Sequence, residues 1–146
     1  MTPISPAPTA LTRKKLPIGI QTFREIREDD CYYVDKTGMA VDLVRTGKAY
    51  FLSRPRRFGK SLFLDTLREL FEGNRALFTG LAAEPVWDWS KKFPVIRVSF
   101  SDGVLQSRAE LDQRIAEILI DNQKRLGVQC SHQSLGGQFA ELIALA

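Results

Sequence analysis

A basic turn between a short apolar run and an amphipathic helix constrains this chain more than any other feature. The apolar run is Tyr50–Leu52, the turn extends from Arg54 to Ser61, and apolar residues recur at helical spacing from Phe63 to Phe71. A strand that leads through a Gly-Lys-Ser turn into a helix N-terminus is the layout of a phosphate-binding loop. The usual pattern is G-x-x-x-x-G-K-S/T, and Arg54 stands where its first glycine belongs. The sequence therefore predicts an anion site whose loop differs in shape from the usual one.

Each part of this turn has a physical role if a nucleotide binds there. Gly59 lets the backbone approach a phosphate, Lys60 extends its ammonium toward the β- and γ-phosphates, and Ser61 offers its hydroxyl to Mg²⁺. The first N–H groups of the helix lack intrahelical acceptors, and the helix dipole adds partial positive charge. The residues predicted to bind ATP are Arg54, Arg56, Arg57, Phe58, Gly59, Lys60, Ser61 and Leu62, and Ser61 is also the predicted metal ligand.

The same cluster of positive charge admits two other interpretations. Residues 54–60 contain four basic side chains and no acidic one, and the chain carries a net charge of +4. Together with Arg13–Lys15, these residues would suit a nucleic-acid backbone, although no aromatic side chains alternate with them as they do in many such surfaces. A Gly-Lys-Ser tripeptide also arises by chance, so an inactive remnant is the third interpretation.

Composition and length limit the class of protein. With 146 residues, 44% hydrophobic and 26% charged, the chain matches an ordinary soluble globular domain. No apolar run reaches the roughly 18 residues that would span a bilayer, and residues 1–15 lack the apolar segment of a secretory signal. We expect a disordered leader over residues 1–15 and a cytoplasmic protein without membrane partners. Cys31 and Cys130 lie far apart outside any C-x-x-C spacing, which favours free thiols over a disulfide or a metal site.

The order of helical and apolar segments predicts an α/β domain with a parallel sheet over residues 16–146. Only two segments read as core strands, Tyr50–Ser53 and Val95–Phe100, whereas a doubly wound sheet has at least about four. The last residues, 142–146, are still apolar. We therefore expect a truncated domain whose sheet is completed by a missing C-terminal portion or by another chain.

Three collinear segments resemble the AAA-ATPase-like family of predicted prokaryotic P-loop ATPases. They are Lys-Leu-Pro-Ile-Gly-Ile at 15–20, Tyr-Val-Asp-Lys-Thr at 33–37, and the stretch 50–62 that contains Arg-Pro-Arg-Arg-Phe-Gly-Lys-Ser. The resemblance covers about residues 15–101, and in that family this arginine-rich loop is the usual one. It implies a three-layer P-loop NTPase-like fold, ATP and Mg²⁺ as ligands, and often a C-terminal domain similar to PD-(D/E)xK nucleases.

The resemblance also identifies what the chain lacks. The family's Walker B acid, at the end of an apolar strand, has no counterpart after residues 94–100, and Asp102 is a weak surrogate because Ser99 and Ser101 interrupt the apolar run. No carboxylate set of a nuclease is visible either. We expect hydrolysis by this chain alone to be weak or absent, so its status as an enzyme stays open. Asp35 and Lys36 are expected to cap and position the helix that follows them, and the alternative is that they face the nucleotide.

Overall fold

The fold was derived from a computed structural model, which describes residues 13–101 and 106–146. The chain divides after Lys91 into two compact units. Unit 1 contains α1, α2, α3 and a short 3₁₀ helix, and unit 2 contains α4 and α5. Their bounds are α1 Phe23–Glu28, α2 Thr37–Thr46, α3 Lys60–Phe71, the 3₁₀ helix Arg75–Phe78, α4 Arg108–Leu126 and α5 Leu135–Leu145. Within the described ranges, no helix has both the length and the apolar character that crossing a membrane requires.

The predicted α/β fold, a three-layer P-loop NTPase-like domain with a parallel sheet, is wrong. Residues 13–101 and 106–146 contain no β-strand, and their β-type pairing is limited to an isolated parallel bridge between Lys15 and Cys31. The predicted strand Tyr50–Ser53 has no regular structure, and the Phe51 side chain within it is 94% exposed. An apolar run favours extended backbone, but a strand also needs a neighbour to accept and donate its main-chain hydrogen bonds.

The second predicted strand, Val95–Phe100, shows where some of those hydrogen bonds go instead. The Asn122 side chain on α4 accepts a hydrogen bond from the Arg97 N–H at 2.8 Å and donates one to the Arg97 carbonyl at 2.7 Å. Asn122 is buried, and its amide also donates to the Ile118 carbonyl at 2.8 Å. A side-chain amide thus pairs with Arg97 as a neighbouring strand would, and the extended segment lies along a helix within unit 2.

An aromatic core holds unit 1 together. The Phe23 ring of α1 lies 4.9 Å from the Phe78 ring, which in turn lies 5.1 Å from the Trp89 ring, measured between centroids. Trp89 also donates its indole N–H to the Glu84 carbonyl at 2.8 Å, and the Trp87 ring packs edge-on against Phe71 at 5.6 Å. These contacts anchor the Trp87–Trp89 segment to unit 1. The buried cluster comprises Phe23, Ala40, Val41, Phe63, Leu70, Leu77, Phe78 and Ala83.

Helix ends follow the capping signals in most places. Ser107 accepts a hydrogen bond from the Glu110 N–H at 3.2 Å while Glu110 accepts one from the Gln106 N–H at 2.7 Å, which is a reciprocal capping arrangement. Gly127 then ends α4 in the left-handed conformation, with φ of 70°. Gly47, which follows α2, is instead extended, with φ of −161°.

Candidate functional site

The basic turn leads directly into α3, and its backbone contains two left-handed residues. Residues 54–59 are all exposed, and α3 begins at Lys60. Gly59 has φ of 75°, which glycine adopts without steric cost, whereas Arg57 has φ of 66°. A bulky residue in that region costs about 1–3 kcal/mol and persists only where the surrounding structure imposes it. Strained residues of this kind concentrate at ligand-binding turns.

The start of α3 presents free main-chain donors to the turn. The first backbone bond into the helix is donated by Phe63 to the Gly59 carbonyl at 2.9 Å, and no side chain caps this end. Among the residues that the structure describes, the N–H groups of Lys60, Ser61 and Leu62 have no acceptor. A Cβ added at Gly59 would meet no atom within 4 Å, so the space beside these donors is open. These donors and this space fit an anionic group such as a phosphate.

Lys60 bends back over the turn. Its Nζ donates hydrogen bonds to the Arg54 carbonyl at 2.6 Å and to the Pro55 carbonyl at 2.8 Å. The ammonium therefore lies against the loop and near the start of α3, bonded to neutral acceptors. A phosphate oxygen would be a stronger acceptor for the same group, because hydrogen bonds between ionised partners are shorter and roughly twice as strong.

The arginines of the turn have no compensating acids. Arg54, Arg56 and Arg57 are exposed, and they form no ion pair with a carboxylate in the described part of the chain. Their positive field is therefore available to an anionic ligand. Within the same part, no group of three or more potential protein ligands could hold a metal ion by itself. Mg²⁺ bound through nucleotide phosphates needs few protein ligands, and the exposed Ser61 hydroxyl at the start of α3 could serve as one.

A cavity of about 360 Å³ adjoins the turn. The turn contributes Arg57, Phe58 and Gly59 to its wall, and α3 contributes Leu62 and Phe63. The opposite wall comes from segments earlier in the chain that include Pro17, Ile26, Tyr32, Tyr33, Val34 and Lys36. The sequence predicted every residue of the turn but assigned none of these earlier residues to the site, except for the possibility that Lys36 faces the ligand. Pro17, Tyr33, Val34 and Lys36 fall within the segments 15–20 and 33–37 that carry the family resemblance, whereas Ile26 and Tyr32 lie outside both.

Two tertiary contacts fix the earlier segments beside α3. Asp65 on α3 accepts a hydrogen bond from the Phe23 N–H at 2.7 Å, so it satisfies a free donor at the start of α1. The Tyr33 hydroxyl lies 3.4 Å from that of Thr66, also on α3, and burial raises the pKa of Tyr33. Tyr32 donates its main-chain N–H to the Lys15 carbonyl at 2.8 Å, which places residues 15–17 next to residues 31–33.

Asp35 positions α2, as the sequence predicted. One carboxylate oxygen accepts hydrogen bonds from the Thr37 N–H at 2.8 Å and the Thr37 hydroxyl at 2.6 Å. The other accepts one from the Ala82 N–H at 2.7 Å. Burial by itself would raise the pKa of Asp35, but these hydrogen bonds and the nearby Arg27 charge outweigh it and lower that pKa.

Lys36 has a different position, in the wall of the cavity. Asp102 lies outside the described residues, as do residues 1–12 of the predicted leader, whereas Lys14 pairs with Asp30 at 2.6 Å.

The lowered pKa of Asp35 predicts that unit 1 loses stability in acid. Because the folded-state pKa lies below the unfolded value of about 3.9, Asp35 stabilises unit 1 above that pH and the contribution disappears as pH falls through the folded pKa. Asp35→Asn should lower the free energy of unfolding by about 1 kcal/mol at pH 7, the net value of a hydrogen bond, since its amide nitrogen cannot accept from Ala82. In acid the free energies of unfolding of the wild type and Asp35→Asn should converge. Urea unfolding followed by tryptophan fluorescence at pH 7 and pH 3 measures this difference, with Asp42→Asn on the exposed face of α2 as the control. A difference that persists unchanged at low pH would contradict the assignment.

Comparison with known proteins identifies relatives of the chain. A family model described as predicted AAA-ATPase matches residues 17–146. A relative from Azotobacter chroococcum mcd 1, described as an uncharacterized protein in the vnfD 5′ region, is 57% identical over 137 residues. That match covers 93% of this chain but 27% of the relative, so the chain spans about a quarter of the relative's length. No solved structure matches the chain.

Proposed function

Because the chain belongs to the AAA-ATPase-like family of predicted AAA-ATPases, we propose that it binds ATP at the turn from Arg54 to Ser61. The observation that carries the proposal is the start of α3, where three main-chain N–H groups have no acceptor and the Lys60 ammonium folds back onto the turn that precedes them. Both kinds of donor suit a polyphosphate, and the unpaired arginines of the turn add attraction for its charge.

The proposal assigns a separate task to each part of the site. The N–H groups of Lys60 to Leu62 bind phosphate oxygens, and Gly59 leaves room for them because it has no side chain. Lys60 exchanges its two carbonyl partners for the terminal phosphates, and the Ser61 hydroxyl contacts the accompanying Mg²⁺. Arg54, Arg56 and Arg57 neutralise the remaining charge. Each task concerns binding, and the proposal needs no regular P-loop fold around the turn.

Hydrolysis by this chain alone is expected to be slow or absent. Phosphoryl transfer requires a group that orients the attacking water and acids that hold Mg²⁺. No acidic residue lies in the turn, and the sequence offers only Asp102 as a surrogate. Since the chain spans about a quarter of its relative, ATP turnover, further partners and a cytoplasmic location remain proposals for the whole protein.

Titration calorimetry with ATP tests the proposal and separates it from nucleic-acid binding. We expect weak binding of ATP that strengthens when Mg²⁺ is added, because the ion bridges phosphate oxygens and Ser61. A nucleic-acid surface would instead bind a short oligonucleotide with an affinity that falls steeply as salt rises and that does not require Mg²⁺. The absence of any ATP binding at millimolar ligand, with or without Mg²⁺, would refute the proposal.

A further inference from the structure

The cavity beside the turn shares residues with the proposed phosphate site. Arg57, Phe58 and Gly59 belong to the turn and also line the cavity, and Leu62, one of the proposed phosphate-binding residues, lies in the same wall. A ligand whose phosphates lie on the start of α3 would therefore place its remaining atoms in or next to this space. Its volume of about 360 Å³ lies near the lower end of the range of about 300–1,000 Å³ for small-molecule pockets.

The wall of the cavity combines cationic side chains with apolar and aromatic ones. Lys36 and Arg57 are cationic, and the rest of the named lining is apolar or aromatic. Two of the aromatic side chains remain largely in solvent, since Tyr32 is 51% exposed and Phe58 is 62% exposed. Large aromatic surfaces left in water next to a cavity are unusual in a folded domain and mark ligand sites.

The two adjacent tyrosines differ in how firmly they are held. Tyr33 is fixed, because its ring packs edge-on against Phe23 at 5.1 Å and its hydroxyl lies 3.4 Å from that of Thr66. Tyr32 has a fixed backbone, through the bond from its N–H to Lys15, but in the described residues its hydroxyl has no hydrogen-bond partner. The Tyr33 side chain is thus held in place by contacts within unit 1, whereas the Tyr32 ring is available to contact a ligand.

We propose that this cavity receives the nucleobase and ribose of the nucleotide, with the rings of Tyr32 and Phe58 stacking on the base. This inference rests on the proposed phosphate site and adds the part of the ligand that the turn does not contact. Stacking suits these residues because every base has a flat π-face and an aromatic side chain loses little freedom on contact. Lys36 and Arg57 add positive charge to the same cavity, which suits a ligand that carries phosphates.

Calorimetry with two ligands, MgATP and inorganic tripolyphosphate with Mg²⁺, tests the cavity separately from the turn. Tyr32→Ala should weaken MgATP binding about tenfold, the effect of losing roughly 1.4 kcal/mol of base stacking, and leave tripolyphosphate binding unchanged. Phe58→Ala should act in the same direction. Phe51→Ala is the matched control, since Phe51 is an aromatic side chain with 94% exposure that does not line the cavity. It should bind both ligands as the wild type does.

The outcomes distinguish this inference from the proposed function. If the wild type binds both ligands and neither Tyr32→Ala nor Phe58→Ala changes the ratio of the two affinities, the cavity does not receive the base, while the phosphate site stands. If both variants weaken both ligands equally, the aromatic rings support the turn and the inference is wrong. If the wild type binds neither ligand, both proposals fail. Circular dichroism of each variant establishes that it is folded before its affinities are compared.

Discussion

Lys60→Ala should reduce the affinity for MgATP by about 10- to 100-fold, because a hydrogen bond between two charged groups contributes roughly 1.5–3 kcal/mol. The ammonium already lies against the turn, at 2.6 Å from the Arg54 carbonyl and 2.8 Å from that of Pro55. It therefore reaches the phosphates without a large rearrangement. In contrast to the cavity variants, Lys60→Ala should weaken tripolyphosphate and MgATP equally, since both ligands carry the phosphates that it contacts. Calorimetry with the two ligands measures both effects.

Lys48→Ala is the matched control for this variant. It removes the same charge from an exposed position earlier in unit 1, outside the turn and away from the cavity lining. Its affinity for both ligands should stay close to that of the wild type. If Lys48→Ala weakened binding as much as Lys60→Ala, the attraction would reflect overall charge and not a specific contact. Equal affinity of Lys60→Ala and the wild type for MgATP would rule out the proposed role of Lys60.

Glu69→Ala should destabilise unit 1 by about 3 kcal/mol, because it removes one partner from a buried charged network. The Glu69 side chain on α3 is 1% exposed. It accepts hydrogen bonds from Arg24 at 2.9 Å, from Arg68 at 2.6 Å and from the Asn74 amide at 2.5 Å. Alanine would leave Arg68, whose side chain is 23% exposed, near Asp65 and Glu72 but without its closest partner. It would also remove one of the contacts between α1 and α3, since Arg24 belongs to α1.

Glu28→Ala is the matched control for the network. It also removes a glutamate that pairs with Arg24, at 3.3 Å, but the Glu28 side chain is 57% exposed. Solvent-exposed pairs of this kind contribute about 0–1 kcal/mol, so the change should be small. Urea unfolding followed by tryptophan fluorescence reports on unit 1 specifically, because both tryptophans of the chain, Trp87 and Trp89, belong to it. If the two variants shifted the unfolding free energy equally, burial of the network would not be what stabilises unit 1.

Helix positions were largely predictable because their signals are local. Ser107 and Ser134, a residue type that favours helix starts, cap α4 and α5, and Gly127 ends α4. The strands were not predictable, because their signals are incomplete without a partner. Tyr50–Ser53 has the composition of a strand, yet a ladder requires main-chain groups from another segment, and the sequence does not say whether that segment comes into place.

The candidate site was predictable in part for the same reason. The turn and the start of α3 are contiguous in sequence, so residues 54–62 could be named from their order alone. Tyr32 and Pro17 reach the cavity only because Asp65 binds the start of α1 and Lys15 pairs with Cys31. Contacts that join residues about 15 to 40 positions apart have no periodic signature in the sequence, although the family resemblance includes Pro17 and the residues that directly follow Tyr32.

The sequence by itself determined the family, the helix-forming segments, the caps of α4 and α5 and the basic turn that precedes α3, because each depends on residues close together in the chain. Tertiary structure alone decided that the apolar run before the turn stays exposed and that Asn122 occupies the main-chain groups of Arg97. It also decided that the turn has a cavity beside it. The physical reason is that burial and hydrogen-bond partners depend on which distant segments meet, and a local pattern sets only the preference of its own segment.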